Sequence, residues 1–396
     1  MTNSGFKSII YNCMSQAEAR IKEVISFLNN KDTVLGYRKL MDCVIDTQDL
    51  DLYREVIALT DWKEQYPEKE EELIKRSLTI LERVAKIPIS EYNTKNPVVI
   101  GRDLIKSYGY NRFKLGPISV KIHKGEVYGL VGENGNGKTT LLRVLAKEIK
   151  HNEGELNFKF DTTYASEYDL RTNLVYIPQR TQKWYGSLKD NLKFVLSNYG
   201  IPPEENETRV LMMIARFGLW NYKHLKWSEL SSGYKMRFEL ARTLLRQPEL
   251  LLLDEPLANL DVLAQQVILE DLKSMCNSIN NPIALILSSQ QLYEVEKISD
   301  KVIYLKDGQY KDNKQVVTDE DNQLIVEIDC EAKRDELMAI FEHLNLEKLI
   351  YNGGLYVAYF NESTPFSSVL ESLGKHKVDV TYTRNITKST RRFFVS

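Results

Sequence analysis

Residues 132–140 read GENGNGKTT, and Gly132, Gly137, Lys138 and Thr139 meet the spacing G-x-x-x-x-G-K-[ST]. An apolar run, KGEVYGLVG, precedes the loop, and TTLLRVLAKEI follows it with leucines at helical spacing. Strand, glycine-rich loop and helix in that order form a cradle for phosphate. The glycines let the backbone curl, so that N–H groups along Gly132, Glu133, Asn134, Gly135, Asn136, Gly137 and Thr140 turn toward phosphate oxygens. The helix N-terminus adds partial positive charge. Lys138 would reach the β- and γ-phosphates of a nucleotide, and the Thr139 hydroxyl would bind Mg²⁺.

A second group lies at LLLLDEP (250–256), where an apolar strand runs out into Asp254 and Glu255. Asp254 is expected in the Mg²⁺ shell and Glu255 as the group that orients or polarises an attacking water. Phosphoryl transfer needs positioning more than covalent help. A third stretch, LSSGYKMRFELAR (230–242), sets small residues with free amides at the tip of a helix and contains no nucleophile–base pair of its own.

In that order these motifs resemble the ATP-binding cassette (ABC) ATPases over residues 97–312. LSSGY stands where the family carries an LSGGQ-type signature, shortly before its D-E-P strand. The resemblance implies a head-to-tail dimer, most simply a homodimer, in which Ser231 and the amides of Ser232 and Gly233 cap the nucleotide held by the other cassette. It also implies that Gln179, ending YIPQ, reaches Mg²⁺ and the water, and that Tyr108 stacks on adenine, with Tyr110 as the alternative. Asp261 of ANLD would cross the dimer interface. Ser232 and Tyr234 depart from the family's glycine and glutamine. Gln290 stands where the family's switch histidine is expected, so it is assigned to the γ-phosphate and hydrolysis is expected to be slow. Unlike histidine, glutamine cannot carry a proton charge near neutral pH.

The elements around these motifs fall into three parts. Residues 1–96 carry apolar residues at helical spacing, as in SQAEARIKEVISFLNN and EELIKRSLTILERVAKI, and are expected to form an all-α module. Asp49 and Asp51 are candidate caps of its third helix. Residues 97–312 alternate short apolar strands with helices, an α/β pattern, which the resemblance makes a P-loop (RecA-like) domain with a helical subdomain. Residues 318–396 read β-α-β-β-α-β, the order of a small ferredoxin-like α+β domain, and end in a basic, aromatic tail.

Composition excludes several other functions. Lys+Arg number 53 against Asp+Glu 55, for a net charge of -2, so no nucleic-acid footprint is expected over the whole surface. The four cysteines lack metal-ligand spacing. No apolar run approaches the roughly 18–20 residues of a membrane span, and the N-terminus does not read as a signal peptide. The resemblance therefore implies a cytoplasmic Mg²⁺-dependent ATPase held at the inner face of the membrane by a permease chain, with export the favoured direction. TQKWYGSLKDNL (181–192) would meet that partner through Trp184 and Tyr185. The runner-up is a soluble ABC ATPase that remodels a protein or ribonucleoprotein, or a nucleotide-gated switch.

Overall fold

The computed structural model describes residues 15–92, 96–109, 113–161, 166–290, 295, 297–311, 323–352 and 354–387. Tyr110 and the tail beyond Thr387 lie outside these residues.

Four helices open the chain: α1 (Gln16–Asn29), α2 (Thr33–Thr47), α3 (Leu50–Gln65) and α4 (Glu70–Val84). Their starts follow from local chemistry. Ser15 and Glu18 form a reciprocal capping box on α1, and the Asp32 side chain caps α2. Of the two candidate caps on α3, Asp49 accepts from the amides of Asp51 and Leu52, while Asp51 lies inside the first turn.

Next come β1 (Pro97–Ser107), β2 (Lys114–His123), β3 (Val127–Val131), α5 (Lys138–Leu145), β4 (Glu153–Phe158), α6 (Glu167–Asn173) and β5 (Leu174–Ile177). They are followed by α7 (Leu188–Ser197), α8 (Pro203–Arg216), α9 (Ser232–Leu245), β6 (Leu250–Leu253), α10 (Val262–Cys276), β7 (Ala284–Ser289), β8 (Lys301–Lys306) and β9 (Gln309–Lys311). The main sheet runs β5-β6-β7-β3-β8-β9, parallel except for the β8–β9 pair. Strands β3, β6 and β7 are buried at every residue, which explains their mostly apolar sequences. The antiparallel sheet β2-β1-β4 packs through Leu104, Leu115 and Ile118 into one core with Leu141 and Leu145 of α5.

The final elements are β10 (Leu324–Cys330), α11 (Arg334–Phe341), β11 (Leu346–Asn352), β12 (Leu355–Phe360), α12 (Phe366–Lys375) and β13 (Val380–Asn385). Their strands form a separate antiparallel sheet in the order β11-β12-β10-β13. Val326, Ile328, Ala358 and Phe360 line one face and pack against Leu337, Phe341 and Val369 of α11 and α12.

The N-terminal helices do not keep a core of their own. Val24, Leu40, Val56 and Leu81 belong to one buried cluster with Leu192, Ile214, Phe238 and Leu272 of α7 to α10. Polar groups bind the same junction. Arg216, at the end of α8, is buried and pairs with Asp42 of α2 (Nη2–Oδ2, 3.1 Å) and with Asp271 of α10 (Nη1–Oδ1, 2.6 Å). Asp271 also takes Arg38, Asp46 takes Arg20 and the Ser278 hydroxyl, and the Trp220 indole donates to Asp61 at 3.0 Å.

Candidate functional site

The glycine-rich loop leaves β3 at the end of the parallel sheet and feeds α5. Gly137 holds φ +97°, and a Cβ there would come within 2.7 Å of the Phe113 ring and 2.8 Å of Leu115. Only glycine fits both the left-handed turn and the close approach. Gly135, at φ +86°, meets nothing within 4 Å, so the loop's crest faces open space. Asn136 plays a structural part: its Oδ1 accepts from the Asp307 amide at 3.1 Å, tying the loop to the β8–β9 turn. Glu133 and Asn134 are exposed, and Thr140 is half-buried.

Lys138 is buried, and its Nζ donates to the carbonyls of Gly132 (2.6 Å) and Glu133 (3.3 Å), with Glu255 Oε1 at 3.8 Å. Burial pulls this ammonium below its usual range, and the Glu255 and Asp254 carboxylates offset part of that shift. A cation poised over carbonyl oxygens inside a glycine-rich loop suits a phosphate chain, whose oxygens would take those contacts over.

Asp254 is held by hydroxyls on both oxygens. Ser288 Oγ donates to Oδ1 at 2.8 Å, while Thr139 Oγ1 at 2.8 Å and Tyr176 OH at 3.3 Å address Oδ2. Thr139 and Asp254 together offer one hydroxyl and one carboxylate, a donor set that suits Mg²⁺ completed by phosphate oxygens and water. Among the described residues no group of three or more His, Cys, Asp or Glu is placed to hold a metal, and a site of the Mg²⁺-phosphate kind needs none.

Glu255 sits in the left-handed region at φ +47°. For a residue with a Cβ this conformation costs about 1–3 kcal/mol and persists only where surroundings enforce it. Here its amide donates to Ser288 Oγ at 2.9 Å. The carboxylate is clamped by two side-chain amides: Gln179 Nε2 on Oε2 at 2.8 Å, and Gln290 Nε2 on Oε1 at 2.9 Å and Oε2 at 3.0 Å. Gln179 follows β5 and Gln290 follows β7, so adjacent ends of the parallel sheet converge on one acid. Gln290, assigned from sequence to a phosphate, here spends its amide on Glu255.

The signature-like residues form a second group around the tip of α9. Ser231 caps α9 by accepting from the Tyr234 amide, and Ser232 Oγ donates to the Asn259 carbonyl at 3.2 Å. A Cβ on Gly233 would touch Ala264 at 3.4 Å. Asp261 caps α10 through the Ala264 amide at 2.9 Å. The signature-like tip and the 258–261 loop are thus bonded to each other, while the phosphate loop is bonded to Asp254 and Asp307. Tyr234 stacks on Tyr222, ring centroids 4.1 Å apart. Tyr108 is 44% exposed, with Lys106 Nζ 5.4 Å from its ring. Of the candidate partner contacts, Trp184 turns inward and donates to Glu239 at 2.7 Å, while Tyr185 is 90% exposed. Sequence reasoning passed over Ser288 and Tyr176. The only signal for Ser288 was a pair of buried serines closing an otherwise apolar strand.

Comparison with known proteins gives the family. A family model described as ABC transporter matches residues 115–258. An uncharacterized ABC transporter ATP-binding protein of Methanocaldococcus jannaschii is 30% identical over 216 residues, covering 54% of this chain and 75% of that protein. The phosphonates import ATP-binding protein PhnC of Treponema denticola is 28% identical over 220 residues, 52% of this chain and 85% of its own. Among solved structures, cbiO1 from Clostridium perfringens, described as part of the ABC transporter complex cbiONQ, superposes with TM-score 0.50 at 26% identity, over 55% of this chain and 88% of that one. The one direction printed among these names is import, so the expectation of export finds no support there.

Proposed function

The chain belongs to the ATP-binding proteins of ABC transporters, and from that premise we propose that it is the ATPase of a transporter, working as a head-to-tail pair that drives a membrane-spanning partner. The observation that carries the proposal is the division of these residues into two bonded groups. Lys138, Thr139, Asp254, Glu255, Gln179 and Gln290 gather at one end of the parallel sheet, whereas the Ser231–Gly233 amides lie at the tip of α9 and are bonded to the 258–261 loop. Half of a nucleotide pocket is thereby built from each surface, and a second copy supplies the complement.

In this reading the chain's own residues have distinct tasks. The loop amides and Lys138 bind the triphosphate, and Tyr108 offers a face to the adenine. Thr139, Asp254 and Gln179 hold Mg²⁺, which neutralises charge building on the phosphate oxygens. Glu255 accepts a hydrogen bond from the attacking water and orients it. Gln290 is released from Glu255 toward the γ-phosphate as the pocket fills. Ser231, Ser232, Gly233 and Asp261 complete the pocket of the partner.

The same reading divides the chain into a helical module (1–96), a nucleotide-binding domain (97–312) and an accessory domain (318–396). The strand order β11-β12-β10-β13 with two helices on one face supports a ferredoxin-like reading of the last. Among the described residues no helix is long and apolar enough to cross a membrane, so the membrane spans are assigned to a permease chain and the protein to the cytoplasmic face. Exposed Tyr185 marks the surface offered to that partner. Remodelling of soluble targets is less supported, because the relatives carry transporter names.

The test is fractionation of the native complex with a steady-state assay on the same material. The protein is expected to sediment with membranes, to release with a multi-span chain in detergent, and to hydrolyse ATP only with Mg²⁺. A protein that stays in the soluble fraction with full turnover would overturn the transporter reading.

A further inference from the structure

We infer that Ser288 is a positioning residue for hydrolysis, its single hydroxyl setting both the orientation of Asp254 and the left-handed backbone of Glu255. The inference rests on the ATPase reading of the site. Ser288 is fully buried near the end of β7. Its neighbour Leu287 pairs with Leu253 in the β6–β7 register, which brings Ser288 beside the Asp254–Glu255 step where β6 ends.

The hydrogen-bond roles at this hydroxyl are unambiguous. A serine has one proton and two lone pairs. The Glu255 amide can only donate, so at 2.9 Å it fills a lone pair of Ser288. The Ser288 proton is therefore committed to Asp254 Oδ1 at 2.8 Å. Thr139 and Tyr176 address the other oxygen, Oδ2. The Ser288 bond thus holds the carboxylate plane from the side away from Thr139, whichever group Thr139 engages. Two residues on, Gln290 grips the Glu255 carboxylate. The end of β7 accordingly holds Glu255 at backbone and side chain together, and the φ of +47° is what that double grip enforces.

Outer partners of this kind, when removed, typically lower metal affinity or activity 10–100-fold. The experiment compares wild type, Ser288→Ala, Ser288→Thr and the control Glu255→Gln in the full-length protein. Four readouts are taken: kcat and KM for ATP, the Mg²⁺ concentration for half-maximal rate, Mn²⁺ affinity by paramagnetic resonance in the presence of ADP, and hydrogen exchange over residues 250–258. For Ser288→Ala the expected result is a kcat lower by about 10–100-fold with KM for ATP changed less than about threefold. Weaker Mn²⁺ binding and faster exchange confined to 250–258 should accompany it. Ser288→Thr keeps the hydroxyl and should recover most of the loss; should the added methyl unfold it, the Ala readouts decide alone. A Ser288→Ala protein with wild-type kcat, Mn²⁺ affinity and exchange would overturn the inference. So would one whose losses spread evenly over the molecule. If wild type is no faster than Glu255→Gln, the ATPase reading itself fails, and Ser288 is then judged by Mn²⁺ affinity and exchange.

Discussion

Glu255 is fixed in place from several sides. Both of its oxygens accept from glutamine amides, and Lys138 stands 3.8 Å away. A glutamine at 290 cannot take up charge when the water is deprotonated. Gln290→His is therefore expected to raise steady-state ATP turnover by about tenfold or more, the scale of a positioned acid–base group. A histidine variant slower than wild type would refute this. Glu255→Gln should bind ATP with near wild-type affinity while turnover falls by at least about 100-fold, which equilibrium binding and a phosphate-release assay would separate.

The helices of the first ninety residues act as part of the cassette's own helical layer. Their union with α8 and α10 is sealed by Arg216, a buried cation between two buried or half-buried carboxylates. Removing one partner of such a set leaves uncompensated charge in the interior and destabilises by about 3–5 kcal/mol. Arg216→Ala should lower the denaturant midpoint accordingly, while Arg54→Ala, on an exposed pair with Asp51, should change it little. The acid response follows from the same groups. Burial alone would raise Asp42, but attraction to Arg216, its hydrogen bonds, the Ser274 hydroxyl and Arg20 together hold it below the usual carboxylate range. Its contribution is complete above the unfolded aspartate value of about 3.9 and is lost as pH falls through the lower folded value. Burial raises Asp46 despite Arg20, so that its ionised form weighs against the fold above its folded pKa and the burden lifts on acidification. Asp42→Asn should flatten the acid limb of a stability–pH curve; an unchanged limb would argue against this account.

At the scale of the whole molecule, what could be read from sequence was what is local in the chain. The phosphate loop, Asp254–Glu255 and the capped tip of α9 are each set by a few consecutive residues, whose backbone demands show in glycine, hydroxyl and acid spacing. What could not be read depends on register between distant strands and on which helix face meets which. The convergence of Gln179 and Gln290 on Glu255 spans three strands. The split between an inward Trp184 and an exposed Tyr185 was set by Phe238 and Glu239 more than fifty residues away. The fusion of the N-terminal helices with α8 left no mark beyond amphipathic spacing. The division of pocket residues between the phosphate loop and the α9 tip makes one prediction about assembly. Glu255→Gln with Mg²⁺ and ATP should double its mass in light scattering, and adding Ser231→Arg should abolish the doubling. A monomer in every nucleotide state would refute the paired pocket.

The core shared between the opening helices and α7 to α10 bears on how the chain is made. Val24, Leu40, Val56 and Leu81 leave the ribosome well before Ile214, Phe238 and Leu272, the surfaces that cover them. At ordinary synthesis rates that interval lasts on the order of ten seconds. Throughout it, nascent amphipathic helices present uncovered greasy faces to the cytosol, an invitation to holdase chaperones.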